Sequence, residues 1–327
     1  MSTYTAKTTG DEVARACKDQ IANKTVLVTG TTPNGLGAKF ATTIAPFGPA
    51  LIILASHCIT KAEQTAKDIA DVAPEVMTRV VELDLSSISK VRNAAKEILG
   101  ITEKIDVIVN NAGIMAAPYS TTIDGIESHF GTNHIGHFLL TNLLLSSVVG
   151  GGKTQSLRVV NVSSNGFRYS PVRIEDINFG DGSTYERWAA YGQSKSANML
   201  FSRSLAQKLG DRGVVSVSLH PGVIITTNLS RHVAMEDFAE LGVLDRKMGN
   251  RKYWEQQFDM KSAAEGVATH VFAAFHSSLD APENNGSYLA DSQVVGAEDI
   301  QSWARDAVDA QKLWTLSEQL VSEKFSY

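Results

Sequence analysis

Tyr191 and Lys195 are four residues apart in the segment YGQSK, and together they could carry acid–base chemistry. Side chains at this spacing lie on one face of a helix. Because an ammonium group beside a phenol favours the phenolate, we expect Lys195 to lower the pKa of Tyr191 below its usual value of about 10. A phenol with a lowered pKa can exchange a proton near neutral pH. Taken alone, such a pair is more often a surface packing pair, so the interpretation depends on the rest of the chain.

Three further polar segments come at the ends of apolar runs or inside a predicted helix. Ser163 and Ser164 close the run VNVSS, and the string NNAG (110–113) closes an earlier run. Asn133 lies in HFGTNHIGHFLL, within a segment of helical period. Each has an ordinary structural explanation, as a turn former or a satisfied buried amide. Parallel strands, however, bring their carboxyl ends to one edge, where ligands bind. We therefore predict one catalytic site, formed by Asn133, Tyr191, Lys195 and the pair Ser163 and Ser164.

The segment TGTTPNGLG carries Gly30, Gly35 and Gly37 between an apolar run and a predicted helix. Glycines at such a turn allow the backbone to approach a pyrophosphate, which binds at the helix N-terminus. A plain strand–helix turn would also use glycine. The position in the first strand–helix unit of a long alternation favours a dinucleotide.

The second apolar run ends at Ser56 and His57 without the acidic residue that an NAD-selective site places there to bind the ribose 2′-hydroxyl. His57 and Lys61 could instead supply a positive group for a 2′-phosphate, although His57 is equally well explained as an exposed loop residue. We therefore predict a preference for NADP(H), with NAD(H) as the alternative.

Seven short apolar runs alternate with segments of helical period. This alternation is explained by one domain, and a second domain is not required. The helical segments include Glu12–Ile21 in a polar lead-in (1–24) and Ile126–Ser147 around Asn133. Apolar runs without strict alternation are typical of strands buried on both faces, and the alternation implies a parallel sheet wrapped by helices. The runs are Thr25–Thr29, Leu51–Ala55, Arg79–Leu83, Ile105–Asn110, Leu157–Ser163, Val215–Leu219 and Ser287–Ala290.

Two long segments, 165–190 and 228–261, follow the fifth and sixth runs, and we expect both to overhang the site. The second is predicted to be a substrate-binding lid, because it carries Phe238, Leu241, Leu244, Tyr253, Trp254, Phe258 and Met260. Packing of the lid onto the domain, or a subunit contact, would explain these side chains equally well. The predicted substrate-binding residues are Ser164, Trp188, Phe238, Leu241 and Trp254.

Composition excludes several other classes of protein. The chain has 327 residues and a net charge of −5, so nucleic acid and anionic membranes are not expected as partners. Its longest apolar run (50–55) is far shorter than the roughly 20 residues of a membrane span, so we expect no membrane anchor. The first 20 residues do not read as a signal or transit peptide, which predicts a cytoplasmic location. Two cysteines form no disulfide framework, and no Cys/His cluster has zinc spacing.

From about residue 24 to 320 the sequence resembles the classical short-chain dehydrogenases/reductases. The resemblance is carried by TGTTPNGLG, LDLSS, NNAG, VNVSS, YGQSK and HPGVIIT. Within that family it is most similar to the retinol-dehydrogenase-like and WW-domain-oxidoreductase-like branch, including fungal light-induced alcohol dehydrogenases, through NHIGHFLLT, YGQSKSANMLFS and KSAAEGVATHVFAA. The resemblance implies a single Rossmann domain over 1–327, with a seven-stranded parallel sheet in the order 3-2-1-4-5-6-7.

The resemblance also implies a role for each site residue. Tyr191 matches the general acid that protonates the carbonyl oxygen, and Lys195 the residue that lowers its pKa and holds the nicotinamide ribose. Ser164 matches the residue that hydrogen-bonds the substrate oxygen, and Asn133 the anchor of a water relay to the lysine. The implied cofactor-binding residues are Gly30, Thr32, Asn34, Gly35, Leu36, Gly37, Ser56, His57, Asp84, Leu85, Asn111, Ala112, Gly113, Tyr191, Lys195, Pro221, Gly222, Val223 and Thr226.

Two departures from the family pattern concern the cofactor. Four residues separate Gly30 from Gly35, one more than usual, and His57 stands where NADP-preferring relatives often have arginine. The expected activity is reduction of a mid-sized apolar ketone or aldehyde, or oxidation of the alcohol, with a polyketide-like metabolite as one candidate. NAD-dependent alcohol oxidation and a non-catalytic dinucleotide-binding sensor or scaffold are the alternatives. Relatives suggest a homodimer or homotetramer through two long helices, whose apolar residues fit either core or interface: Phe138, Leu139, Met199 and Phe201.

Overall fold

The sheet of this protein has eight strands in the order β3-β2-β1-β4-β5-β6-β7-β8. A computed structural model describes residues 4–148, 156–230, 233–254 and 259–327. All neighbouring strands are parallel except β7 and β8. The strands are β1 Thr25–Thr29, β2 Leu51–Ser56, β3 Met77–Glu82, β4 Val107–Asn110, β5 Leu157–Val162, β6 Val214–His220, β7 Tyr288–Ala290 and β8 Gln293–Val294.

Helices cover both faces of this sheet, and two apolar cores lie between the layers. In the described part of the chain, no helix is long and apolar enough to cross a membrane. The helices are α1 Gly10–Ala16, α2 Lys18–Ile21, α3 Leu36–Ile44, α4 Ile59–Val72, α5 Ile88–Ile101, α6 Gly136–Val148, α7 Arg187–Leu209, α8 Ala239–Lys247, α9 Ala263–Gly266, α10 Ala268–Phe275 and α11 Ala307–Leu320.

The predicted α/β fold and its strand order are confirmed, with one strand added. All five residues of β1 are buried, as the run of Val and Leu between two threonines predicts for a strand covered on both faces. The additional strand β8 is two exposed residues long, so it left no apolar pattern in the sequence.

Two predicted helices differ from the observed ones. The segment predicted as Glu12–Ile21 is divided at Cys17, where α1 ends and α2 begins. The helix predicted over Ile126–Ser147 starts with a π-helical turn, Phe130–Ile135, before the regular turns of α6. This turn contains Asn133, and π-helical turns occur frequently at functional sites.

The apolar faces of α6 and α7 are covered by α11 of the same chain. The ring of Trp314 lies 5.0 Å from that of Phe138 and 6.1 Å from that of Phe201, measured between centroids. Nε2 of His134, in the π-helical turn before α6, lies 2.8 Å from Oγ of Ser317 on α11. The four residues predicted to be either core or interface are therefore core residues, all buried within one chain: Phe138, Leu139, Met199 and Phe201.

Candidate active site

Helix α7 places Tyr191 and Lys195 one turn apart at the edge where the parallel strands end. Its first turn is fixed by the carboxylate of Glu186, which accepts hydrogen bonds from the backbone N–H groups of Trp188 (3.1 Å) and Ala189 (2.7 Å). Such a cap satisfies donors that the first turn of a helix leaves unpaired. The register of Tyr191 and Lys195 is therefore set at the start of the helix.

The two serines after β5 have different functions in the structure. Oγ of Ser163 donates to the main-chain carbonyl of Lys195 at 2.8 Å, so Ser163 ties β5 to α7. Ser164 hydrogen-bonds the side chain of Tyr191 instead. Gly166 packs so closely on this pair that a β-carbon there would lie 2.9 Å from Cε1 of Tyr191. Of the two serines, Ser164 therefore lies beside the Tyr191 side chain.

The expected lowering of the Tyr191 pKa by Lys195 is wrong. Burial raises the pKa of Tyr191 to about 12, and the hydrogen bond to Ser164 opposes only part of this change. Burial also lowers the pKa of Lys195 to about 7. The Lys195 ammonium lies 5.5 Å from the centre of the Tyr191 ring, but desolvation dominates both groups. Tyr191 is consequently a protonated phenol at neutral pH.

Asn133 is clamped to the loop after β4 by both ends of its amide. Oδ1 accepts from the N–H of Ile114 at 2.8 Å, while Nδ2 donates to the Ile114 carbonyl (3.0 Å) and to Oγ of Ser194 (2.9 Å). A β-carbon on Gly113 would lie 2.9 Å from Oδ1 of Asn133 and 3.7 Å from Nζ of Lys195. Asn133, Lys195 and the NNAG turn therefore converge, as predicted.

The glycine turn fits a dinucleotide pyrophosphate. Gly30 has φ +75°, and a β-carbon there would lie 2.8 Å from Cα of Ala112. A β-carbon on Gly37 would lie 2.6 Å from Nδ2 of Asn111. Among the described residues no side chain caps α3, whose N-cap is Gly35, so the first N–H groups of this nine-residue helix are left for a ligand. Thr32, Asn34 and Leu36 lie in the same turn, as predicted.

The residues predicted to bind the adenosine lie at the ends of β2 and β3. His57 is exposed beyond β2, whereas Ser56 is buried and accepts from the N–H of Cys58 at 3.3 Å. The Asp84 carboxylate is held by Ser86 (3.0 Å from its N–H) and by Lys90 (3.1 Å). Burial acts to raise its pKa, but these bonds outweigh burial and the pKa is lowered. Leu85 packs against Gly136 at the start of α6.

The predicted nicotinamide segment after β6 is held by a lysine that sequence reasoning missed. Gly222 has φ +97°, and a β-carbon there would lie 2.5 Å from Cδ of Lys261. The Lys261 N–H donates to the Val223 carbonyl at 2.9 Å, and its buried ammonium pairs with Asp291, between β7 and β8. Pro221 precedes this contact, and Thr226 lies exposed after it. An ion pair across 30 residues leaves no local signal in a sequence.

Apolar side chains surround Tyr191 on the side of the predicted lid. The rings of Trp188 and Tyr191 lie 6.5 Å apart, and Trp188 lies 5.7 Å from Phe238. This apolar cluster consists of Ala116, Tyr169, Trp188, Tyr191 and Leu241, with Met115, Val233, Phe238 and Leu244 packed against it.

Trp254 is not part of this apolar cluster, contrary to prediction. Its side chain is 41% exposed, and its indole N–H donates to the Asp245 carbonyl at 3.3 Å. Phe258 lies outside the described residues. Of the predicted substrate-binding residues, Trp188, Phe238 and Leu241 therefore lie in the apolar cluster with Tyr191. Trp254 lies outside that cluster.

A buried ion pair between Arg168 and Asp245 joins the loop after β5 to α8, in the segment predicted to be a lid. Nε and Nη2 of Arg168 donate to the two carboxylate oxygens at 2.8 and 3.0 Å. The guanidinium lies between the rings of Tyr169 (4.3 Å) and Tyr253 (4.0 Å), and Nη2 also hydrogen-bonds the Tyr169 hydroxyl. Asn250 donates to the Arg168 carbonyl at 3.1 Å. Arg168 comes four residues after Ser164, so it joins the serine loop to α8.

Comparisons with known proteins decide the family. A family model described as short chain dehydrogenase matches residues 24–175. The chloroplastic short-chain dehydrogenase TIC 32 A of Brassica napus is 35% identical over 327 residues, which cover 98% of this chain and 95% of the relative. The chain belongs to the short-chain dehydrogenase/reductase family. As a member of it, the protein is an oxidoreductase that acts on CH–OH and C=O groups.

Other short-chain dehydrogenase/reductase relatives support the predicted branch. Human retinol dehydrogenase 14 is 35% identical over 311 residues, 91% of this chain and 86% of that protein. A crystal structure of an uncharacterized protein from Mycobacterium paratuberculosis is 34% identical, with a TM-score of 0.69, and covers 94% of this chain and 96% of that one. The resemblance to the retinol-dehydrogenase-like branch is confirmed.

Proposed function

We propose that this short-chain dehydrogenase/reductase is an NADP(H)-dependent carbonyl reductase and secondary-alcohol dehydrogenase for a mid-sized, largely apolar substrate. The observation that carries the proposal is the convergence of Tyr191, Ser164, Lys195 and Asn133 beside a glycine turn that fits a pyrophosphate.

The chemistry divides between cofactor and chain. A bound nicotinamide cofactor supplies or accepts the hydride. In the reductive direction the protonated phenol of Tyr191 donates its proton to the substrate oxygen, and Ser164 donates a hydrogen bond to the same oxygen. Lys195 and Asn133 hold a relay that returns a proton to Tyr191. Burial of Tyr191 keeps the phenol protonated at neutral pH, so that it can act as the donor.

The substrate class is inferred from the walls of the site. Trp188, Leu241 and Phe238 pack in one apolar cluster with Tyr191. Such walls bind an apolar body, while two hydroxyl groups orient its one reacting oxygen. A ketone or aldehyde of a terpenoid, retinoid-like or polyketide-like compound has this chemistry.

The cofactor preference is inferred from the end of β2. No acidic side chain follows that strand within 55–58, so nothing there repels a 2′-phosphate. His57 is exposed, and Lys61 lies near the start of α4. Both can approach a phosphate group, although neither has the bidentate fork of arginine.

The proposal is tested with the purified full chain. Fluorescence titrations with NADPH and NADH are followed by initial rates on a panel of apolar ketones and aldehydes with each cofactor. We expect tighter binding of NADPH and NADPH-dependent turnover. Tighter NADH binding with alcohol oxidation would replace the proposal by an NAD-dependent dehydrogenase. Binding without turnover of any panel member, in either direction, would favour a sensor or scaffold.

A further inference from the structure

His137, on the first turn of α6, has contacts that the proposed function does not use. The side chain is buried, and its two ring nitrogens reach different parts of the site. Nε2 lies 2.9 Å from Oγ1 of Thr29, the last residue of β1. Nδ1 lies 3.0 Å from the main-chain carbonyl of Asn133, in the π-helical turn.

The donors around Thr29 fix the direction of these hydrogen bonds. Oγ1 of Thr29 accepts from the backbone N–H groups of Asn111 and Ala112, each at 3.0 Å. A hydroxyl has two acceptor positions and one hydrogen, so the Thr29 hydrogen is left for Nε2 of His137. A neutral imidazole that accepts at Nε2 carries its proton on Nδ1. Nδ1 therefore donates to the Asn133 carbonyl.

The ring stays neutral at physiological pH, as this arrangement requires. Burial lowers the pKa of His137 to about 4, the hydrogen bond to Asn133 acts in the opposite direction, and the charge of Lys195 lowers the pKa further. Thr29, Asn133 and Lys195 are the polar or charged groups that these contacts place around the ring.

We propose that His137 is a positioning residue that holds the cofactor turn and the catalytic asparagine in one fixed register. On one side it binds Thr29, which anchors the NNAG turn and precedes Gly30. On the other side it holds the backbone of Asn133, whose amide hydrogens are already both used by Ile114 and Ser194. The proposal rests on the roles proposed for Asn133 and Lys195.

Three substitutions separate the two contacts. The same helix shows what asparagine would do at position 137: Nδ2 of Asn142 donates to the Phe138 carbonyl, four residues earlier, at 2.8 Å. His137→Asn should therefore keep the hydrogen bond to the Asn133 carbonyl and lose the one to Thr29. His137→Gln should reach Thr29 and lose the hydrogen bond to the Asn133 carbonyl. His137→Leu should lose both hydrogen bonds.

The expected results differ between the variants. We expect kcat to fall about tenfold in His137→Gln and His137→Leu and to stay within about threefold in His137→Asn, since one hydrogen bond is at stake. The Kd for NADPH should rise in His137→Asn and His137→Leu, because the turn that follows β1 loses its support. Equal losses of kcat in all three variants would overturn the proposal.

His270 provides a matched control on α10. It is also buried, its Nδ1 lies 3.3 Å from the Gly266 carbonyl four residues earlier, and its Nε2 has no partner among the described residues. We expect His270→Leu to lower the melting temperature and leave kcat and the Kd for NADPH unchanged. Similar kinetic losses in His270→Leu and His137→Leu would reduce His137 to a structural residue.

A measurement without turnover keeps the proposal falsifiable if the variants do not fold. Nitrogen-15 NMR of histidine in the wild-type chain, assigned to His137, should show the proton on Nδ1 at neutral pH. A proton on Nε2, or a doubly protonated ring, would overturn the proposal. If wild-type protein reduces no substrate, the proposed function fails while the tautomer still tests the geometry.

Discussion

At the scale of single residues, burial decides the protonation of the catalytic pair. Sequence motifs predicted Tyr191, Lys195, Ser164 and Asn133 as site residues, because their types and spacing are local properties of the chain. The pKa values could not be found in the same way, since they depend on desolvation by side chains distant in sequence. Burial raises the pKa of Tyr191 and lowers that of Lys195, whereas their spacing alone suggested a lowered pKa for Tyr191.

The role of the phenol is tested with Tyr191→Phe. Loss of the proton donor should lower kcat about a hundredfold to a thousandfold, the usual effect of removing one group that stabilises charge on a reacting oxygen. The Kd for NADPH, measured by fluorescence, should change less than about twofold. Tyr327→Phe is the control, because the Tyr327 hydroxyl is bonded to Asn142 and is remote from the site. Wild-type turnover in Tyr191→Phe would remove Tyr191 from the mechanism.

The buried ammonium of Lys195 should make stability depend on pH. Its pKa is lowered from 10.5 to about 7, so between these values the unfolded chain binds more protons than the folded protein. The contribution of Lys195 to stability therefore rises with pH across this window, and its cost is fully present below pH 7. Tyr191 remains protonated in both states below pH 9 and does not contribute.

Lys195→Met removes the destabilisation caused by the buried ammonium, and its melting temperature is measured against pH. Its melting temperature should exceed that of wild type at pH 6, and the difference should shrink as the pH approaches 10. Lys67→Met, on the exposed side of α4, is the control and should show no such trend. A difference in melting temperature between Lys195→Met and wild type that is the same at all pH values would contradict the lowered pKa of Lys195.

At the scale of elements, the bonds between Arg168 and Asp245 hold α8 against the loop that follows β5. Each partner lies in one of the two long segments that the sequence marked as overhanging the site. Their pairing across 77 residues could not be predicted, because many charged residues in both segments were equally available. The position of Trp254 outside the apolar cluster follows from the same anchor, since its indole N–H bonds the Asp245 carbonyl.

Arg168→Lys should loosen the lid without removing a positive charge. Lysine cannot form the two parallel hydrogen bonds to Asp245 or stack between Tyr169 and Tyr253. We expect KM for the carbonyl substrate to rise about threefold to tenfold, with a smaller change in kcat and a lower melting temperature.

Arg187→Lys is the matched control for the lid experiment. Arg187 joins α7 to the same lid through Asp237 and Glu240, each at 2.8 Å, but this pair is partly exposed. Because exposed pairs contribute little, we expect KM within about twofold of wild type. If both arginine variants raise KM equally, the buried pair has no special function.

At the scale of the whole molecule, the covering of α6 and α7 by α11 bears on assembly. The alternation of strands and helices predicted a parallel sheet, and the resemblance to a family added the order of its strands. The place of α11 was not predictable, since a terminal amphipathic helix can pack on several faces. Trp314 holds α11 on this face, because its ring packs against those of Phe138 and Phe201.

We expect the chain to be monomeric in dilute solution. A dimer through the apolar faces of α6 and α7 would have to displace α11, including the bond between His134 and Ser317. Light scattering during gel filtration should give a mass near 35.3 kDa at micromolar concentration. A mass of a dimer or tetramer would show that association uses another face and would restore the homo-oligomer predicted from relatives.

Gly113 has a consequence for the design of inactive variants. The space beside its α-carbon is bounded by the amide oxygen of Asn133 and the ammonium of Lys195, at 2.9 and 3.7 Å from where a β-carbon would stand. A β-carbon cannot approach an amide oxygen this closely, so Gly113→Ala would push the Asn133 amide off its bonds to Ile114. One methyl group on the backbone would therefore disturb the arrangement of the site while Ser164, Tyr191 and Lys195 keep their side chains.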